Sequence, residues 1–201
     1  MSTVTASKVH EYDETAPSKD ETDTATFALG CFWGPDAEFG AVDGVVRTRV
    51  GYAGGSKEDP TYHSLGDHTE TFQVDYAPEE VSYEELLDIA FESHNPNRKV
   101  RKTQYQNVIF VSDGKQREAL KSYLSDRGTA PDSIATRIEE LSAFHPAEDY
   151  HQKHSLRARN DLMGPFDEAG YCEEELRESP AAAKLNGLAS GHDVPEKLDP
   201  R

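Results

Sequence analysis

The stretch "ALGCFWGPDAEFG" (28–40) sets Cys31 between Gly30 and the aromatic pair Phe32–Trp33, where an apolar run stops and a helix can begin. A thiol attacks as its thiolate, and a helix N-terminus favours the thiolate through its outward-pointing N–H groups. Gly30 and Gly34 allow close backbone approach. Two large rings beside the sulfur would make an apolar wall suited to a methyl or thioether group. The same surroundings also suit a cysteine that simply packs in a core. Residue types alone leave both readings open.

The elements that must position this cysteine follow from periodicity. "TATFALGCFWG" reads as a buried strand ending at Gly30, and "PDAEFGAV" as a first helical turn with Pro35 at its start. "GVVRTRVGYAGG" reads as a strand, with Gly51, Gly54 and Gly55 as turn glycines. "TETFQVDY" alternates, with Phe72, Val74 and Tyr76 on one face and Thr71, Gln73 and Asp75 on the other. "SYEELLDIAFESHN" predicts a helix opened by a Ser82–Glu85 capping box. "YQNVIFVSD" and "SIATRIEEL" read as further strands. "GKQREALKSYLSDRG" reads as an amphipathic helix stopped near Gly128, and "PAEDYHQKHSLRARND" as a polar helix or helical turn. The order βαββαβαβα predicts an α+β fold: a two-layer α/β sandwich with a ferredoxin-like core and a mixed sheet. Residues 1–23 read as a disordered acidic tail, 24–160 as the catalytic domain, and 161–201 as a C-terminal extension with a short helix, a small-residue turn and a loose tail.

Composition narrows the function classes. The 201 residues carry 38 acidic and 21 basic side chains, a formal net charge of −17, which excludes a nucleic-acid backbone or an anionic membrane surface as partner. So acidic a shell also suits a protein working in high salt, where ions screen self-repulsion. No apolar run approaches a membrane span, and the first residues have no signal-peptide core, so the expected compartment is the cytoplasm. Two distant cysteines and no CxxC pair give neither a disulfide framework nor a thiolate zinc site. His63 and His68 lack a third ligand in sequence, and His94 reads as structural.

"GCFWG" at 30–34 resembles the active-site motif of the A-type peptide-methionine sulfoxide reductases. The resemblance continues in the family's order through "GYAGG" (51–55), "PTY" (60–62), "HTE" (68–70), "SYEELL" (82–87), "HNP" (94–96), "TQY" (103–105) and "AEDYHQ" (147–152). It implies reduction of the S epimer of methionine sulfoxide, free or within proteins. By that resemblance Cys31 attacks the sulfoxide sulfur and ends as a sulfenic acid. Glu70 delivers a proton to the oxygen, and Tyr62 and Tyr105 hydrogen-bond it. Phe32 and Trp33 hold the methyl group, with His151 and His154 lining the pocket. The resemblance implies no metal, flavin or nucleotide. The implied reductant is thioredoxin or a small thiol.

The chain departs from the family pattern in places. Val100 stands where an acidic residue is common, Asn95 replaces an aspartate, and His154 replaces a tyrosine. Relatives often carry a resolving cysteine in a glycine-rich tail. Here Cys172 follows Gly170–Tyr171 but precedes "EEELRES", so it is a candidate resolving thiol and equally a helix-end cysteine. These departures leave two rivals open: a sulfoxide-binding module without turnover, and a thiol peroxidase.

Overall fold

The computed structural model describes residues 3–200. Its centre is a six-stranded mixed sheet in the order β5-β4-β1-β3-β2-β6. The strands are β1 (Asp23–Leu29), β2 (Val45–Ala53), β3 (Thr69–Tyr76), β4 (Asn107–Val111), β5 (Arg137–Glu140) and β6 (Phe144–Pro146). All neighbours are antiparallel except β4 and β5.

Three helices complete the main core: α2 (Trp33–Ala41), α3 (Tyr83–Glu92) and α4 (Gly114–Asp126), after an N-terminal helix α1 (Ala6–Thr15). Phe27, Val50, Phe72 and Ile109 of the sheet pack with Phe39, Leu86, Leu87 and Leu120 of these helices. The capping box expected at Ser82–Glu85 opens α3, and Gly128, in the left-handed region at φ +63°, follows the end of α4. The polar face of β3 is also covered. Asp75 is buried, and Arg49 of β2 bridges it to Glu178 of α7 (Glu173–Glu178).

The structure differs from the sequence reading at both ends. The segment expected to be disordered contains α1, whose Val9 is fully buried in a second core with Leu162, Phe166, Leu176 and Leu185. Asp13 accepts hydrogen bonds from Ala181 N (2.7 Å) and Tyr171 Oη (2.8 Å). Val9 and the half-buried Tyr12, on an otherwise mostly polar helix, were too weak a periodic signal to reveal this docking. Met1 and Ser2 of the expected tail lie outside the described residues.

After β6 the chain forms α5 (His154–Arg157), α6 (Asn160–Ala169), α7 and α8 (Pro180–Ala189). Of the two readings of 146–161, the helical turn holds: a 3-10 turn at Asp149–His151 is followed by the four-residue α5. The small-residue turn is the buried ten-residue α8, and Leu198 of the loose tail is buried too. Helix α8 lies along α2 at close range. A Cβ on Gly40 would stand 2.5 Å from the Ala183 carbonyl oxygen, and one on Gly187 2.6 Å from Ala41 Cβ. The helix carrying the aromatic pair is therefore backed by a further layer of helix outside the sandwich. No helix among the described residues is long and apolar enough to cross a membrane.

Candidate active site

Strand β1 ends at Leu29, and Gly30 turns the chain at φ +82°, a conformation that favours glycine. Cys31 follows as a free, exposed thiol immediately before Phe32, the N-cap of α2. The junction expected from sequence is therefore present. Its electrostatics are not those of an activated thiol at rest. Burial around the sulfur raises the Cys31 pKa, and the negative charge of Glu70 adds to this. The Trp33 amide, donating to the sulfur, lowers it only partly.

Glu70 sits on β3, 1% exposed. Its Oε2 accepts from the Phe32 amide (3.2 Å) and its Oε1 from Gln104 Nε2 (2.6 Å). Burial pushes the carboxyl above its ordinary range, against these two donors and the Lys102 cation. Lys102 itself lies 4.5 Å from the centre of the Tyr105 ring. Tyr105 and Tyr62 are electrostatic neighbours, and the Tyr105 hydroxyl is raised first by burial and then by Glu70, Tyr62 and Cys31. Cys31, Glu70, Tyr62 and Tyr105 thus share one electrostatic neighbourhood.

The aromatic wall is built on Trp33. Its Nε1–H donates to His151 Nδ1 at 3.2 Å, and His154 stacks on the indole at 3.7 Å between centroids. His151 is buried and also meets Phe32 edge-on at 5.2 Å and Tyr62 at 4.7 Å. Burial lowers its pKa, reinforced by His154 and His63 and opposed by Glu148. Because Nδ1 accepts, the neutral ring carries its proton on Nε2, which is buried without a partner among the described residues. Sequence reasoning left His154 a surface residue without its motif, yet the ring is half-buried on Trp33.

The profile of the family described as "Peptide methionine sulfoxide reductase" matches residues 23–174. The chain belongs to this family. It is 42% identical over 171 residues to a peptide methionine sulfoxide reductase of Drosophila melanogaster, covering 84% of this chain and 68% of the relative. It is 40% identical over 142 residues to one of Methanococcoides burtonii, covering 65% of this chain and 93% of that one. Among solved structures, methionine sulfoxide reductase A of Corynebacterium diphtheriae superposes with a TM-score of 0.55 at 30% identity, covering 76% of this chain and 78% of that chain.

Several reductase-site contacts come from residues that the sequence reading passed over. Gln104 holds Glu70. Glu148 accepts from the Tyr62 amide (2.9 Å) and Tyr52 Oη (2.7 Å). Burial raises the Glu148 carboxyl, but these donors, its own amide and His151 outweigh it and leave the pKa lowered. All three side chains lie inside the motifs "TQY", "AEDYHQ" and "GYAGG", and that position was the available signal.

The departures are absorbed locally. Asn95 Oδ1 accepts from the Asn97 amide, and the Val100 carbonyl accepts from Gln106 Nε2. His94 bonds the Ala90 carbonyl and Thr136 Oγ1, as a structural histidine does. Both nitrogens of His68 are taken, by Gly55 N and the Lys57 carbonyl. Gly51 is not a turn glycine. It lies inside β2, where a Cβ would stand 2.4 Å from both the His145 carbonyl oxygen and the Phe144 ring. Cys172 is the exposed N-cap of α7, and its amide donates to Glu175 Oε2 at 2.8 Å.

Proposed function

We propose that Cys31 is the nucleophile and Glu70 the proton donor in reduction of methionine (S)-S-oxide, free or in proteins. The observation that carries this is the bond from Phe32 N to Glu70 Oε2. It holds a buried carboxyl of raised pKa next to the cysteine. Cys31 attacks the sulfoxide sulfur as its thiolate. This forms an Sγ–S bond; Glu70 gives its proton to the sulfoxide oxygen, the S–O bond breaks, and the released hydroxide adds to Cys31 Sγ as the Sγ–S bond breaks, leaving a sulfenic acid and methionine. Tyr62 and Tyr105 stabilise the charge developing on that oxygen. Phe32 and Trp33 contact the methyl group, and His151 and His154 support Trp33. The resting thiol is poorly ionised, so a sulfoxide polarised by Glu70 completes its activation.

A thiol then attacks the sulfenic acid, water leaves, and a second thiol reduces the resulting disulfide. Cys172 is the candidate internal resolving thiol. Thioredoxin or a small thiol is the proposed final reductant. Residues 24–160 are the proposed catalytic domain, with 161–201 as an extension packed on it. Two unpaired cysteines fit a reducing compartment, and we place the protein in the cytoplasm.

The test is turnover of separated S and R epimers with excess dithiothreitol at high salt, for wild type and Cys31→Ser. The expected result is reduction of the S epimer alone, lost in Cys31→Ser. A folded wild type that reduces neither epimer would leave a binding module as the better account.

A further inference from the structure

Lys153 stands between the two histidines that hold Trp33, and it is fully buried. It is one of two non-glycine residues with positive φ among the described residues, at φ +54°. That conformation is strained for a residue with a Cβ and persists only where the surroundings enforce it. The Lys153 side chain is anchored on three neighbours. Nζ donates to the Thr48 carbonyl (2.5 Å) and the Arg177 carbonyl (3.2 Å), and stands 4.0 Å from Asp36 Oδ1. Asp36 lies in the first turn of α2, one turn beyond Trp33. Its Oδ1 has no hydrogen-bond partner among the described residues, so Lys153 is what that oxygen faces. Its Oδ2 accepts from Asn186 Nδ2 (2.9 Å), and Asn186 Oδ1 accepts from the Leu156 amide (3.0 Å). Glu178, Arg49 and Arg177 are the other charged groups that act on the ammonium.

We propose that Lys153 is a positioning residue for the sulfoxide pocket: its buried ammonium, held by the Thr48 and Arg177 carbonyls and facing Asp36, fixes the left-handed turn that sets His151 and His154 against Trp33. The claim rests on the reading of Trp33 as pocket wall. Packing alone does not call for a buried ion pair there, because apolar side chains of similar volume are often neutral or stabilising in place of both partners. A turn of this hand does not call for lysine either, because glycine adopts it without strain. The lysine does both jobs. It reaches α2 and β2 at once, and by forcing the turn it presents one imidazole to the indole edge and the other to its face.

Trp33 is the single tryptophan of the chain, so its emission reports this contact without any turnover. The full chain is compared as wild type, Lys153→Met, Lys153→Gly and the double variant Asp36→Asn/Lys153→Met. Thermal unfolding checks the fold in each. The expected result for Lys153→Met is red-shifted Trp33 emission and a KM for a methionine-sulfoxide peptide raised about tenfold, with kcat changed less than about twofold. Lys153→Gly gives the same shifts although it relieves the backbone. The double variant, with no unpaired buried charge, recovers melting temperature but neither KM nor emission.

Wild-type emission and KM in folded Lys153→Met overturn the proposal. So does a double variant in which all three recover together, the behaviour of a purely structural pair. Should Lys153→Met fail to fold, the double variant carries the decision. A wild type without sulfoxide turnover would sink the reading of the site, and emission would still decide the role of Lys153.

Discussion

The Phe32 amide donates to Glu70 Oε2 at 3.2 Å, tying the residue after the cysteine to a carboxyl two strands' connections away in sequence. Burial raises the Glu70 pKa, and the sign of its effect on stability follows. In strong acid the carboxyl is protonated in both folded and unfolded chains. As pH rises through the ordinary carboxylate range the unfolded chain ionises first, so the penalty on folding grows until pH passes the folded pKa and stays constant above it. Glu70→Gln should therefore melt at the wild-type temperature in acid and above it at neutral pH. Its turnover should fall by about 10²–10³-fold for loss of the proton donor. Melting curves against pH, with initial rates on the S epimer, check both.

Glu70 also raises the Cys31 pKa, behind the larger contribution of burial and against the Trp33 amide. Removing the negative charge should lower it. Glu70→Gln should then be alkylated by iodoacetamide faster than wild type near neutral pH, with the midpoint of the rate profile moved to lower pH. Mass spectrometry of the Cys31 peptide measures this apart from Cys172. An unmoved midpoint would mean that burial and the amide alone set the thiol.

Much of the site was legible because its residues lie in short motifs whose local structure sequence can foresee. The β1–α2 junction at Cys31 and the capping box of α3 are examples. The lowered thiol pKa expected from a helix N-terminus was not realised, because desolvation depends on distant residues that meet only in the fold. For the same reason the role of Gln104 and the turn at Lys153 were invisible: each is defined by partners 24 to 117 positions away. The docking of α1 failed to register because one buried valine and one accepting aspartate make no periodic pattern.

Asp13 gives that docking a measurable energy. It accepts from Ala181 N and Tyr171 Oη, and so serves the first turn of α8 from another helix. Asp13→Ala should destabilise the protein by about 2 kcal/mol, from a lost cap and a lost buried partner. The loss should appear in urea unfolding as an earlier midpoint with unchanged slope. A change within about 0.5 kcal/mol, the ordinary range for surface substitutions, would show that α1 contributes little.

The net charge of −17 predicts a salt response. Surface repulsion between like charges is screened over about 10 Å at 0.1 M and about 3 Å at 1 M. The melting temperature should rise steadily as sodium chloride goes from about 0.1 to about 2 M. Sodium chloride is the salt to use, since sulfate would also strengthen apolar burial. A flat or falling curve would mean that the acidic surface carries no adaptation to salt.

The start of α7 is tied down around Cys172, and loosening it should speed resolution of the sulfenic acid by this thiol. The Cys172 amide is held by Glu175, and the neighbouring Glu173 pairs with Arg157. Arg157 in turn ends the short helix that begins at His154, the residue stacked on Trp33. Glu175→Ala removes one reciprocal bond of the cap and should loosen this end of the helix. With one equivalent of the S epimer and no reductant, wild type should lose both thiols as methionine appears. Glu175→Ala should form the Cys31–Cys172 disulfide several-fold faster, followed as a loss of two mass units after an acid quench. Retention of the Cys172 thiol after a full single turnover, in both proteins, would assign recycling to an external thiol acting directly on Cys31.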